Sequence, residues 1–283
     1  MRWAEISTAL PLWQVERAAA VLLRECPAGF SDTAAGRGRR VLRAYLPADP
    51  VGRATLARLR RGLAHGVPGA AVTVRVIDDA VWHEAWKAHA RPVRIGRLLI
   101  LPTWWPDAGR RGDAVVRLDP GMAFGSGEHA TTQLCLRAVE RYVRPGGTVV
   151  DVGTGSGILA MAAARIGARR VVAVDSDPVA VNVARVNVRA NGLTRRVAVR
   201  LAGGLRDVRV RADFIVANLT AQTLTGVLRD VHRRLAPGGR FVGSGFGPSR
   251  TREITRGVTG SGLRVVGVTA LRGWRAIHAV RPP

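Results

Sequence analysis

Cysteine is nearly absent: the 283-residue chain has two, Cys26 and Cys135. Two are too few for a disulfide scaffold or a thiolate metal cluster, and both read as buried, small, apolar side chains. The six histidines are scattered and form no HExxH pattern, so no metal site is expected. Aromatic residues make up only 5% and do not interleave with bases in the manner that stacks nucleobases. No apolar run approaches the roughly 20 residues that span a bilayer. The N-terminal stretch carries Glu5 and Glu16 inside its apolar pattern and lacks a signal-peptide layout, so a cytoplasmic location is expected. Acids are scarce, 20 against 44 bases, for a formal charge of +24. Lysine is almost missing too: Lys87 is the only one. The preference for arginine reads as codon bias. The excess of bases is a separate matter, with +6 in residues 1–92 and +18 in the remainder. It fits an anionic partner such as RNA or a ribonucleoprotein, or a solvated basic surface with no specific partner.

What is present is ordinary for a globular chain: 47% hydrophobic and 23% charged residues. That is enough apolar material to offset the entropy of ordering. The length suits one large domain or two smaller ones.

The pattern over residues 1–78 predicts βαββαβ. Strands are expected at Trp3–Thr8, Ala28–Thr33, Arg40–Leu46 and Ala71–Ile77. A helix is expected from Pro11 to Glu25, with Leu12, Val15, Ala19, Leu22 and Leu23 on one face. A second, capped by Asp49, should run to about His65. This is the split-βαβ, ferredoxin-like α+β plan, which by itself implies no activity. Residues 79–92 read as a connecting helix with Trp82 and Trp86 on one face. Residues 93–101 read as one strand and PTWWPDAGRRG as a loop. From about residue 130 strands alternate with helices, which predicts an α/β, doubly wound parallel sheet over residues 93–283 with an antiparallel pair at its end.

The sharpest local signal is Asp151-Val152-Gly153-Thr154-Gly155-Ser156-Gly157, between a strand and a helix. Its GxGxG spacing differs from the GxGxxG of nicotinamide dinucleotide sites. A carboxylate beside the turn is poor company for a pyrophosphate and suits a cationic ligand end. The next strand ends in Asp175, where an acid can accept hydrogen bonds from ribose hydroxyls. The strand Asp213–Ala217 runs into Asn218. All three strand ends belong on one rim of the sheet, where open α/β folds bind ligands. Each residue alone is equally at home in a turn or a cap; the ordered set is not.

These residues resemble a class I S-adenosylmethionine-dependent methyltransferase, and LAPGGRFVGSG (Leu235 to Gly245) agrees with that superfamily. The segment Leu118-Asp119-Pro120-Gly121-Met122-Ala123-Phe124-Gly125-Ser126-Gly127-Glu128-His129-Ala130-Thr131-Thr132 narrows the resemblance. It is similar to the signature loop of the PrmA-type ribosomal protein methyltransferases, which modify the large-subunit stalk-base protein numbered eleven. The likeness continues through QLCLRAVE, DVGTGSGILAMAA, VVAVDSDPVAV and VANLTA, over roughly residues 80–245. Two departures are GSGEHATT for the family's usual GTGTHPTT, and Asn218-Leu219-Thr220-Ala221 for Asn-Ile-Leu-Ala.

The resemblance implies S-adenosylmethionine as cofactor, with Thr132, Gly153, Asp175 and Asn218 at the cofactor-contacting positions. It implies residues 1–78 as a substrate-recognition domain, 79–92 as linker and 93–283 as the catalytic domain. Lysine or N-terminal amines of the stalk-base protein, free or on the ribosome, would accept the methyl, with ribosomal RNA a further contact and no membrane. Asn218 would hold the cofactor's amino end, orient the incoming amine, or both. Phe124 would cover the cofactor, shape the substrate channel, or simply pack in its loop. His129 suits a cap better than a base.

Alternatives are a related lysine methyltransferase with another protein substrate, an RNA methyltransferase, and a non-enzymatic RNA-binding module. The second lacks both the Pro-Pro-aromatic sequence after Asn218 and a cysteine near the site. Intact Gly153, Asp175 and Asn218 speak against the third.

Overall fold

The computed structural model describes residues 2–26, 30–36, 38–78, 91–106, 109–118 and 127–283, apart from the Leu23 side chain. The 79–90 part of the expected connecting helix, with Trp82 and Trp86, and residues 119–126 of the signature loop, with Phe124, lie outside the described residues. The chain forms two compact units, Met1–Arg91 and Pro92–Pro283.

The first unit runs β1 (Arg2–Pro11), α1 (Leu12–Glu25), β2 (Phe30–Ala34), β3 (Arg39–Pro47), α2 (Pro50–Gly66) and β4 (Thr73–Asp78). Its antiparallel sheet has the order β2-β3-β1-β4, the ferredoxin-like arrangement expected from the sequence. Asp49 caps α2 by accepting the Gly52 amide at 2.7 Å, and Pro50 occupies the first turn, where its missing N–H costs nothing. On α1, Val15, Ala19 and Leu22 are buried as the periodicity predicts, but Leu12 is 55% exposed. Leu12 is the first residue of the helix, beyond the edge of the apolar stripe.

The second unit begins with a three-stranded sheet, β5 (Val93–Ile95), β6 (Leu98–Pro102) and β7 (Ala114–Leu118), in the order β5-β6-β7. The single strand expected over 93–101 is therefore two. Gly96 and Arg97 form a two-residue turn, and Ile95 pairs with Leu98. β7 follows the Trp-rich loop and pairs in parallel with β6.

The seven-stranded sheet follows: β8 (Thr148–Val152), β9 (Arg170–Asp175), β10 (Val197–Leu201), β11 (Ala212–Asn218), β12 (Leu235–Phe246), β13 (Arg264–Leu271) and β14 (Trp274–Val280). Helices α3 (Ala130–Tyr142), α4 (Ile158–Ile166), α5 (Pro178–Ala190), α6 (Ala221–Arg234) and α7 (Thr251–Gly260) connect them. The order is β10-β9-β8-β11-β12-β14-β13, so the winding reverses between β8 and β11. The first five strands are parallel. β14 inserts antiparallel between β12 and β13, which makes the terminal pair a hairpin with β14 inside it. β12 is longer than the expected 240–244, because Ala212 already pairs with Leu235. α7 was not apparent in the sequence; it packs through Ile254 and Val258, one turn apart and fully buried.

The central strands are apolar runs, as a sheet covered on both faces requires. Val149, Val150, Val171 to Val174 and Phe214 to Ala217 are all buried. At about 1.5–3 kcal/mol for each large apolar side chain removed from water, this core fixes the strand register, and with it the strand ends.

Candidate active site

The winding reversal places the carboxyl ends of β9, β8 and β11 side by side. The register Val152↔Val174 and Val152↔Ala217 brings Gly153, Asp175 and Asn218 onto one rim. This crevice outside the strand ends is where a doubly wound sheet accepts a ligand.

Asp151 is the last polar residue of β8 before the turn and is completely buried. Its Oδ2 accepts the Thr154 hydroxyl at 2.7 Å and the Ala160 amide at 3.1 Å, tying the strand, the turn and α4 together. Its Oδ1 has no hydrogen-bond partner among the described residues. Burial, with Asp175 nearby, pushes its carboxyl up to about 7, against the two hydrogen bonds, which favour the charged form. The sequence suggested a carboxylate facing a cationic ligand end. The structure instead turns Asp151 inward, beneath the glycine turn.

Gly153 stands at φ +72°, where a Cβ would run into Leu219 Cδ2. The Gly153 and Thr154 amides both donate to Val174 O, at 2.9 and 3.0 Å. Leu219 is held from the other side as well: its amide donates to Ser244 O at 2.9 Å. Gly245, at φ +105°, leaves room for the Leu219 backbone, whose carbonyl a Cβ there would strike. Leu219 is thus a wedge between two bare backbone positions. Leu219 lies in the VANLTA stretch, but its packing role is not marked there, because a lone leucine in a loop has no pattern.

Asp175 ends β9 half-buried. Its Oδ2 accepts the Gly155 amide at 2.9 Å and its Oδ1 the Asp177 amide at 3.0 Å. The carboxylate is held from both sides by backbone while keeping lone pairs for a ligand. Asp177 in turn caps α5 by accepting from Val179 N at 2.8 Å.

Asn218 and Thr132 meet: Asn218 Nδ2 donates to Thr132 Oγ1 at 3.2 Å. Thr132 lies in the first turn of α3, whose cap is His129. The His129 Nδ1 lies 2.7 Å from Thr131 Oγ1 and faces the Thr131 amide at 3.3 Å, which is the capping role expected. The four site residues therefore fall into two groups, Gly153 with Asp175 and Thr132 with Asn218, on adjoining strand ends.

Neither cysteine belongs to this site as a nucleophile. Cys26 and Cys135 are free and fully buried, and burial raises both thiols, Cys26 to about 12. No group of metal-ligating side chains occurs among the described residues.

The family model for ribosomal protein L11 methyltransferase (PrmA) matches residues 28–282. The chain belongs to this family. The ribosomal protein L11 methyltransferase of Pelotomaculum thermopropionicum is 43% identical over 259 residues, covering 90% of this chain and 84% of the relative. That of Symbiobacterium thermophilum is 48% identical over 209 residues, covering 74% and 68%. The crystal structure of the ribosomal protein L11 methylase from Lactobacillus delbrueckii subsp. bulgaricus superposes with a TM-score of 0.62 at 32% identity, covering 68% of this chain and 99% of that one. Membership of the ribosomal protein L11 methyltransferase family makes the chain a methyltransferase with a Rossmann-like catalytic sheet. None of its described helices is long and apolar enough to cross a membrane.

Proposed function

We propose that this chain transfers methyl groups from S-adenosylmethionine to lysine or N-terminal amines of ribosomal protein L11, in the cytoplasm. The observation that carries the reading is the pairing of Asn218 with Thr132 beside the anchored Asp175 and the bare turn at Gly153. The residues fit the cofactor. Asp175 has acceptor capacity for a ribose diol, and Gly153 lets the turn beside it close against Leu219 with backbone alone.

The bound cofactor supplies a methyl group already activated by its sulfonium leaving group. The chain's own work is to bind, align and exclude water. Asp175 fixes the ribose end. Asn218, its Nδ2 committed to Thr132, presents Oδ1 as an acceptor for an amine N–H, which orients the nitrogen. A lysine amine titrates near 10.4 in water and must be neutral to act as nucleophile, so water-poor surroundings that lower its pKa favour the reaction. Residues 1–78 would present the substrate, 79–92 would link the units and 93–283 would catalyse. The charge of +24 supports a further contact with ribosomal RNA.

A radiolabelled methyl-transfer assay tests this, with free L11, intact large subunits and bare ribosomal RNA offered in parallel and products resolved by mass spectrometry. Label on L11 amines is expected. Label on RNA alone would overturn the protein-substrate reading.

A further inference from the structure

Every parallel strand has two ends, and the candidate active site uses one. We propose that the opposite rim of the seven-stranded sheet, formed by the strands' amino ends, is a docking surface for the phosphate backbone of RNA. The inference gives a place to the RNA contact raised above. It rests on that reading of the charge and not on which amine is methylated.

The rim is one continuous structure. Gly146 N donates to Gly167 O at 2.9 Å, Arg169 N to Gly147 O at 3.0 Å and Val171 N to Arg196 O at 2.7 Å, so the segments leading into β8, β9 and β10 are bonded to one another. β13 starts on the same side, because Arg264 and Arg240 are both paired with Val280. Arginines mark these starts: Arg144 before β8, Arg169 and Arg170 at β9, Arg195 before β10, Arg211 before β11 and Arg264 at β13. All six are exposed.

Other arginines on this side have structural employment. Arg165 donates to Asn191 O at 2.7 Å, Arg196 to Ala164 O at 3.3 Å, and Arg234 to Leu205 O and Arg206 O at 3.2 and 2.8 Å. The first two answer the carbonyls and the negative dipole end of helices, and Arg234 ties down the turn at Leu205 and Arg206. The six at the strand starts take part in no side-chain hydrogen bond or ion pair among the described residues, and a strand's amino end has no comparable dipole to satisfy. Asp213 stands among them, and its Oδ2 accepts the Thr148 amide at 2.7 Å; Glu140 and Asp230 on this side are engaged by the Arg97 amide and by Arg206.

Exposed guanidinium groups spread along a line suit a partner with repeated negative charge. At about 4.8 Å between strands, seven strands extend the row over about 29 Å. Duplex nucleic acid presents roughly one charge per 1.7 Å of axis, so a row of this length meets many phosphates. The planar guanidinium fork matches phosphate oxygens. Among the described residues the exposed aromatic ring is Trp13, of the other unit, and half-buried Tyr142 is already faced by Arg141 and Arg240, so the rim offers charge more than base stacking. Binding should therefore be insensitive to sequence and steeply dependent on salt.

The test is fluorescence anisotropy with an RNA hairpin of about 20 base pairs, titrated at several salt concentrations with the full-length chain. Arg169→Glu/Arg170→Glu/Arg195→Glu is compared with Arg229→Glu/Arg252→Glu/Arg256→Glu, an equal charge change on exposed positions of α6 and α7. The rim variant should bind about tenfold weaker or worse, with a salt slope shallower by about 0.9 for each lost phosphate contact. The helix variant should stay within about twofold of the parent. Melting by circular dichroism confirms that each variant is folded. The triple Gln variant of the rim should fall between parent and triple Glu. Equal losses in both triple Glu variants would overturn the proposal in favour of a diffuse field, as would no loss in the rim variant. Tighter binding to anionic lipid vesicles than to the hairpin would overturn the choice of RNA. Methyl transfer to free L11 is measured separately on the same variants; its absence in the parent would count against the proposed function and leave the RNA result standing.

Discussion

Asn218 at the end of β11 and Thr132 in the first turn of α3 are 86 residues apart, yet joined by a 3.2 Å hydrogen bond. The bond fixes which face of the Asn218 amide looks outward. Thr132→Val keeps the shape and removes the acceptor, so Asn218 should lose its fixed orientation. A fall in kcat of about 10²-fold is expected for Asn218→Ala and a smaller fall for Thr132→Val, since alignment errors near 1 Å cost rates of that order. Steady-state kinetics with L11 check both; an unchanged kcat for Asn218→Ala would remove it from the reacting end.

The proposed function gives Asp175 the ribose. Asp175→Ala should weaken S-adenosylmethionine binding by about 10–150-fold, the range for losing hydrogen bonds to a charged acceptor. Isothermal titration calorimetry measures it, and an unaltered affinity would show that the ribose sits elsewhere. The same substitution frees the Gly155 and Asp177 amides, so some loss of melting temperature should accompany it.

Gly153→Ala and Gly245→Ala should differ in severity. Both positions have positive φ, and a side chain there costs on the order of 1–2 kcal/mol. At Gly153 the new methyl meets the movable end of Leu219; at Gly245 it meets the Leu219 backbone. Gly245→Ala should therefore unfold at lower denaturant. Gly153→Ala should show its larger effect in cofactor affinity.

Asp151 gives a pH signature. Folding raises its carboxyl from an ordinary 3.8 to about 7, so the folded state holds the proton more tightly than the unfolded one. The associated stability is fully present below about pH 4 and is lost as pH rises to about 7, at up to about 1.4 kcal/mol per pH unit. Asp151→Asn removes this dependence. Denaturant melts at pH 5 and pH 8 should show the wild type losing stability relative to the variant, and parallel curves would refute the raised carboxyl.

Much of the fold is legible in the sequence, for physical reasons. The short apolar run Val171 to Val174, set between helical stretches, fits a strand buried on both faces. The placement of Gly153, Asp175 and Asn218 on one rim was legible because each stands where such a strand stops. Other features carried no such mark. The helix Thr251–Gly260 contains three threonines and two glycines, and its buried face is essentially Ile254 and Val258. VRIGRLLIL reads as one strand until Gly96 and Arg97 are seen to reverse the chain. The inward turn of Asp151 and the wedge of Leu219 depend on neighbours distant in sequence, which no local pattern encodes.

The position of β14 has a consequence for how the protein is made. Trp274–Val280 follows every other strand in the chain, yet it lies between β12 and β13. While a ribosome is still synthesising the chain, β12 has one open side, and β13 has no neighbour to join until β14 emerges. The parallel half can assemble early, but the sheet closes only when its last-made strand slides into an interior slot. Until then the open flank of β12 is a sticky template, and the interval between synthesis of β12 and of β14 is when the nascent chain is most prone to mispair.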